Sequence, residues 1–131
     1  MKYIKTFEDN EFDPNNFNKL KRDVKGITIE LKDEHFVIVP FEVEDDIGFD
    51  NYDYYVKIYK KDIYNALFKI IDVKEYIYTI IDYVGMYYSY DELTIKVDNE
   101  NLTELAYVYF ESNSNKRVDI IELYFSDIKK K

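Results

Sequence analysis

Between Asp62 and Gly85 apolar residues recur at three- and four-residue steps: Ile63, Ala66, Leu67, Ile70 and Ile71, then Ile77, Ile80, Ile81 and Val84. That spacing lays one apolar stripe along a helix and predicts a core-facing helical spine. Lys74 falls where the stripe is due an apolar residue, and Asp72 with Glu75 three positions on forms an acidic variant of a helix-start capping pattern. The spine is therefore expected as a helical pair over about 62–84, or one sharply kinked helix, with Gly85 as a left-handed C-terminal cap.

On both sides of the spine the period changes from that of a helix to two. Ile27, Ile29 and Leu31 alternate with Thr28, Glu30 and Lys32, which predicts a strand. A second strand is expected over His35–Glu44, where Pro40 points to an edge or a bulge because it cannot donate to a ladder. Tyr54–Lys60 reads as a third strand on its aromatic and β-branched content, although a helical reading fits its spacing almost as well. After an aromatic connector over Met86–Tyr90, Leu93, Ile95 and Val97 alternate cleanly, and a turn is expected at Asn99-Glu100-Asn101. Leu102–Glu111, apolar on both faces, is then expected as a central strand, with Val118–Phe125 closing a meander. Asp13-Pro14-Asn15-Asn16 is turn chemistry that opens a short N-terminal helix through Phe17, Leu20 and Val24, closed by Gly26.

The predicted class is a single α+β domain spanning 1–131, with two antiparallel β-meanders (about 27–60 and 92–125) flanking the helical pair. Ile27–Glu34 lines up with Leu93–Glu100 at an offset of 66 with three identities in eight, which is equally what two unrelated hairpin strands give.

Charge narrows the functional classes. The net charge is −9, so nucleic acid, whose binding rests on Lys and Arg, is not the expected ligand, nor is an anionic membrane surface. The acids are unevenly spread. From Asp33 to Asp53 there are eight (Asp33, Glu34, Glu42, Glu44, Asp45, Asp46, Asp50, Asp53) and no Lys or Arg; from Glu75 to Asn115 there are eight more against Lys96 alone. The 15 tyrosines accompany a composition rich in Ile, Lys and Asn and poor in Ala, Gly and Pro, so they reflect composition as much as function. With no cysteine, no apolar leader in Met1–Asp9 and no apolar run of about 18 residues, a soluble cytoplasmic domain is the expectation.

Catalytic parts are scarce. His35 is the only histidine, there is no cysteine, and the three glycines are too scattered for a phosphate-binding loop. The acids of Asp45–Asp53 do not follow the alternate spacing of the helix-loop-helix calcium loop, so a solvated acidic loop is a plainer reading than a calcium or magnesium site, and no cofactor is implied. On a strand, Glu30-Leu31-Lys32 resembles, over three residues, the Glu-x-Lys element of restriction-type metal-dependent nucleases; outward-facing charges on an exposed strand are the plainer reading. Tyr64, Phe68, Tyr76, Tyr78 and Tyr83 lie off the helical stripe, where tyrosines rimmed by carboxylates would make a docking surface.

What these patterns leave is binding to a basic protein. The expected function is a non-catalytic inhibitor that docks on the groove of a basic, nucleic-acid-binding partner, with carboxylates where phosphates would lie. Small acidic anti-CRISPR and anti-restriction proteins of phages and mobile elements are similar in size and charge. An immunity protein that neutralises a toxin such as a nuclease shares the same physics. The expected contact residues are Glu42, Glu44, Asp45, Asp46, Asp50 and Asp53, with Tyr52 and Tyr54 as anchors.

Overall fold

Alternation survives folding wherever one face of a strand has a core to meet. The computed structural model describes residues 17–32, 36–44, 52–60 and 67–131. Strand β1 (Phe36–Glu44) pairs with β2 (Tyr52–Lys60) in unbroken antiparallel register from Phe36↔Lys60 to Glu44↔Tyr52. Beyond β2 the sheet continues through β8 (Ile120–Lys130), β5 (Glu92–Val97) and the short β6 (Glu100–Asn101), in the order β1-β2-β8-β5-β6. Among the described residues β1 is thus an edge strand, a position that suits Pro40.

The centre of the sheet is β8, hydrogen-bonded to β2 on one side and β5 on the other. Its Ile121, Leu123, Phe125 and Ile128 are fully buried, beside Tyr54, Val56 and Ile58 of β2 and Ile95 and Val97 of β5. On that face lie α1 (Phe17–Ile27), burying Leu20 and Val24, and α3 (Lys74–Tyr87), burying Ile77, Ile80 and Val84; all belong to one core. The opposite face stays half-exposed. There Tyr55 stacks on Tyr124 with centroids 4.4 Å apart, and Lys57, Glu122 and Lys96 sit side by side across three strands with alternating sign.

The class is α+β in one domain, as expected, but three segments depart from the expected elements. Ile27–Lys32 is helical rather than extended: α1 runs to Ile27 and a further turn, α2 (Ile29–Lys32), follows a break at Thr28. Leu20, Val24 and Leu31 are buried on a helical stripe whereas Ile29 is 59% exposed, so the short alternation was incidental to a longer helical period. Thr28 fills the gap in that stripe by hydrogen-bonding its Oγ1 to the Val24 carbonyl at 2.9 Å. With helix at 27–32 and strand at 92–97, the two halves are not structural repeats.

The first half of the helical pair is also different. Phe68–Lys69 forms β3, pairing with β7 (Arg117–Val118), and Ile70–Asp72 is a single 3-10 turn. Phe68 and Ile70 point inward while Leu67 and Ile71 are exposed, a period of two hidden inside a helix-like spacing. Helix α3 then starts at Lys74, where the stripe was interrupted, and runs through Gly85 to Tyr87. No left-handed glycine ends it. Instead β4 (Tyr88–Ser89) peels away to pair with Lys129–Lys130, and Lys131 donates its backbone N–H to the Tyr87 carbonyl at 3.1 Å and its Nζ to the Gly85 carbonyl at 2.8 Å. A cation at a helix C-terminus is favourable to the helix dipole.

The third departure matters most. Leu102–Glu111 is not a central strand: a 3-10 turn over Thr103–Leu105 leads into α4 (Ala106–Ser112). Asp98 and Asn99, both at positive φ (51° and 72°), make a two-residue hairpin turn between β5 and β6, and the returning strand stops after two residues. Asn101 stops it by accepting the Thr103 backbone N–H at 3.0 Å on its Oδ1, the local hydrogen bond that Asn offers in place of a ladder. Ala106 and Phe110, one helical turn apart, are then buried.

An ion-pair and hydroxyl network ties α1 to α3. Lys19 Nζ lies 2.6 Å from Asp23 Oδ2, and Tyr83 Oη donates to the same oxygen. Burial pushes the Asp23 carboxyl up, but the hydrogen bonds from Lys19 and Tyr83 outweigh it and hold the group below its ordinary value. A depressed carboxyl stabilises the fold above its unfolded pKa and loses that contribution as pH falls through the folded one. Wild type should therefore exceed Asp23→Asn in urea midpoint at about pH 7, and the gap should close toward about pH 3. A gap that widens on acidification would contradict the network.

Candidate functional site: an acid-rimmed groove

Where α4 replaces the strand expected over Leu102–Glu111, it leaves a groove beside α3. The groove has a volume of about 580 Å³. Its lining comes from three separate segments: α3 supplies Glu75, Tyr78, Ile81 and Asp82; β5 supplies Leu93 and Ile95; the 3-10 turn and α4 supply Thr103, Glu104, Ala106, Tyr107 and Phe110. The apolar side chains Ile81, Leu93, Ile95, Ala106 and Phe110 belong to the periphery or the body of the core, so the groove is where the core reaches the surface.

The tyrosines are held in place. Tyr78 Oη donates to Glu111 Oε2 at 2.8 Å, and the Tyr78 ring lies 5.2 Å from that of Tyr107 and 6.3 Å from that of Phe110. Lys74 Nζ closes the network, 3.1 Å from Glu111 Oε2 and 3.1 Å from Ser114 Oγ. Donation from Tyr78 and then from Lys74 holds the Glu111 carboxyl below its ordinary value, and burial with the Glu111 hydrogen bond pushes the Tyr78 hydroxyl well above its own. The positive charge of Lys74 is thereby matched by Glu111, next to the groove.

The rim keeps its charge. Glu75, Asp82 and Glu104 are exposed, and among the described residues none has a cation at ion-pair distance. Next to Glu104, on the 3-10 turn and α4, Leu105, Tyr107 and Val108 are 65%, 64% and 60% exposed. Large apolar side chains contiguous with a groove and bordered by carboxylates are the anatomy of a protein-docking surface. Its extent over α4 is more than a ligand confined to the groove would cover.

No family model, no curated protein and no solved structure matches this chain.

The residues singled out in the sequence fall differently. Asp45, Asp46 and Asp50 lie outside the described residues, as do His35 and Asp62–Ala66. Glu42 and Glu44 sit at the end of β1 opposite Tyr54 and Tyr52 of β2. Tyr54 is fully buried, 6.3 Å from the Phe125 ring, so it is a core residue and presents nothing to a partner. Asp53 serves the sheet: it accepts the Tyr124 hydroxyl at 2.5 Å and the Asp127 backbone N–H at 2.9 Å. Between Tyr54↔Phe125 and Tyr52↔Ile128 strand β8 carries one extra residue, and Asp127 takes positive φ (50°) there, so Asp53 clamps a β-bulge.

The Glu-x-Lys element is also reassigned. Glu30 and Lys32 lie in the single turn of α2, not on a strand, and Glu30 Oε1 accepts the Tyr76 hydroxyl at 2.8 Å. The strand frame that a nuclease reading needs is absent. The acid excess of Glu75–Asn115 and the position of Tyr78 are visible in the sequence, but the meeting of Glu75, Asp82, Glu104 and Tyr107 is not. The signal for it is the four-residue step Leu102, Ala106, Phe110, which marks a helix inside the segment taken for a strand.

Proposed function

We propose that this chain is a non-catalytic, cytoplasmic acidic binding protein that inhibits a basic, nucleic-acid-binding protein by docking on that partner's groove. The acid-rimmed groove between α3, β5 and α4 carries the reading, because it couples exposed apolar side chains to three unneutralised carboxylates. Apolar contact supplies affinity, and the carboxylates supply steering and choice of partner. A net charge of −9 raises the encounter rate with a cationic surface, and Glu42, Glu44, Asp45, Asp46 and Asp50 add to that field. No helix among the described residues is long and apolar enough to cross a membrane.

Affinity capture from the cells that make the protein tests this. At about 0.05 M salt the chain should retain a basic protein and release it as salt rises toward about 0.5 M, where screening shortens the reach of charge. Added back, the chain should suppress the partner's binding to nucleic acid. A partner that is acidic, or that stays bound regardless of salt, would contradict the proposal.

A further inference from the structure

We infer that the groove takes an amphipathic helix of the basic partner, with Lys or Arg seven residues apart on one face and apolar anchors between them. This rests on the reading of the groove as a docking surface for a basic protein, and it adds what part of that protein fits. Glu75, Tyr78 and Asp82 stand at i, i+3 and i+7 of α3, so the two carboxylates share one edge of the groove about 10 Å apart along the helix axis. Glu104 stands on the 3-10 turn across the apolar floor from them.

A binding segment has to meet the two carboxylates and the floor with the same face. On a strand, side chains about 10 Å apart are three residues apart and point to opposite faces. On a helix, residues i and i+7 are about 10 Å apart and share a face with i+3 and i+4, so two cations can flank two apolar anchors. The anchors then lie over Ile81, Leu93, Ile95 and Ala106, and the outer flank of the helix meets Tyr107 and Val108 of α4. The local positive charge, Lys74, is already matched by Glu111, so it does not repel the incoming cations at full strength.

Three synthetic helical peptides of identical net charge test the inference by fluorescence anisotropy and by amide chemical shifts of the isotopically labelled full chain. The first carries Arg at i and i+7 with Leu or Phe at i+3 and i+4. The second keeps the composition but moves the two Arg to the opposite face, and the third replaces the anchors by Ala. The first should bind at least about tenfold more tightly than either control. Its shifts should fall on 75–82, 93–95 and 103–110, and Glu75→Lys with Asp82→Lys, both exposed positions, should abolish its advantage. Equal binding of all three peptides would overturn the helix inference while leaving docking on a basic protein standing. Absence of binding to every peptide at low salt would overturn both.

Discussion

Phe125→Ala is expected to lower the unfolding free energy by about 3–5 kcal/mol, the range for deleting a fully buried phenylalanine from a core that cannot collapse around the gap. Phe125 lies in the middle of the central strand, paired with Tyr54 of β2 and Leu93 of β5. Its ring packs edge-on against Tyr90 at 5.1 Å and lies 6.3 Å from that of Tyr54. Total stability for a domain of this kind is about 5–15 kcal/mol, so the loss takes a large share of it. Urea unfolding followed by circular dichroism measures the effect. Tyr107→Ala is the matched control: it removes an exposed ring, and its cost should stay within roughly 0.5 kcal/mol apart from the contact with Tyr78. If the two substitutions cost the same, β8 does not sit at the centre of the fold.

Those two residues also show what could be read from the chain before folding. Strands 52–60 and 92–97 were legible because each alternates over six or more residues and buries one face, and strand 36–44 because it is rich in Val and Phe. The helix beginning at Lys74 was legible because Ile77, Ile80 and Val84 keep the stripe, and the N-terminal helix because Leu20 and Val24 keep theirs. The failures share a cause. Ile27–Lys32, Leu67–Ile71 and Leu102–Glu111 are short runs in which periods of two and of three to four are both satisfied. Tertiary burial decides between them, through Leu31 in one case, Phe68 and Ile70 in the next, and Ala106 with Phe110 in the third.

The candidate site was less legible than the fold. Charge density along the chain points to Glu42–Asp53, yet charge density says nothing of what lies underneath, and Asp53 in its bulge and the adjoining anchor Tyr54 in the core prove structural. The groove is built from residues near 75–82, 93–95 and 103–110, which meet only because α4 lies beside α3. Once Leu102–Glu111 is taken as a strand, that meeting cannot be foreseen. Of its parts, Tyr78 off the helical stripe and the acid excess after Glu75 were visible in advance.

The rim charges can be separated from charge in general. Glu75→Lys, Asp82→Lys and Glu104→Lys together add two charges each and bring the net charge from −9 to −3. The same change in net charge is made by reversing Asp91, Glu100 and Asp119, which are exposed and do not line the groove. Long-range attraction weakens alike in both triple variants, whereas only the first sets cations against the partner's cations at the apolar contact, where like charges cost several kcal/mol. The direct measurement is the dissociation constant of each variant for the captured basic partner at one salt concentration. Reversal at the groove should weaken binding by about a hundredfold or more, and reversal elsewhere by no more than about tenfold. Equal losses in the two variants, or none in the first, would contradict docking through the groove.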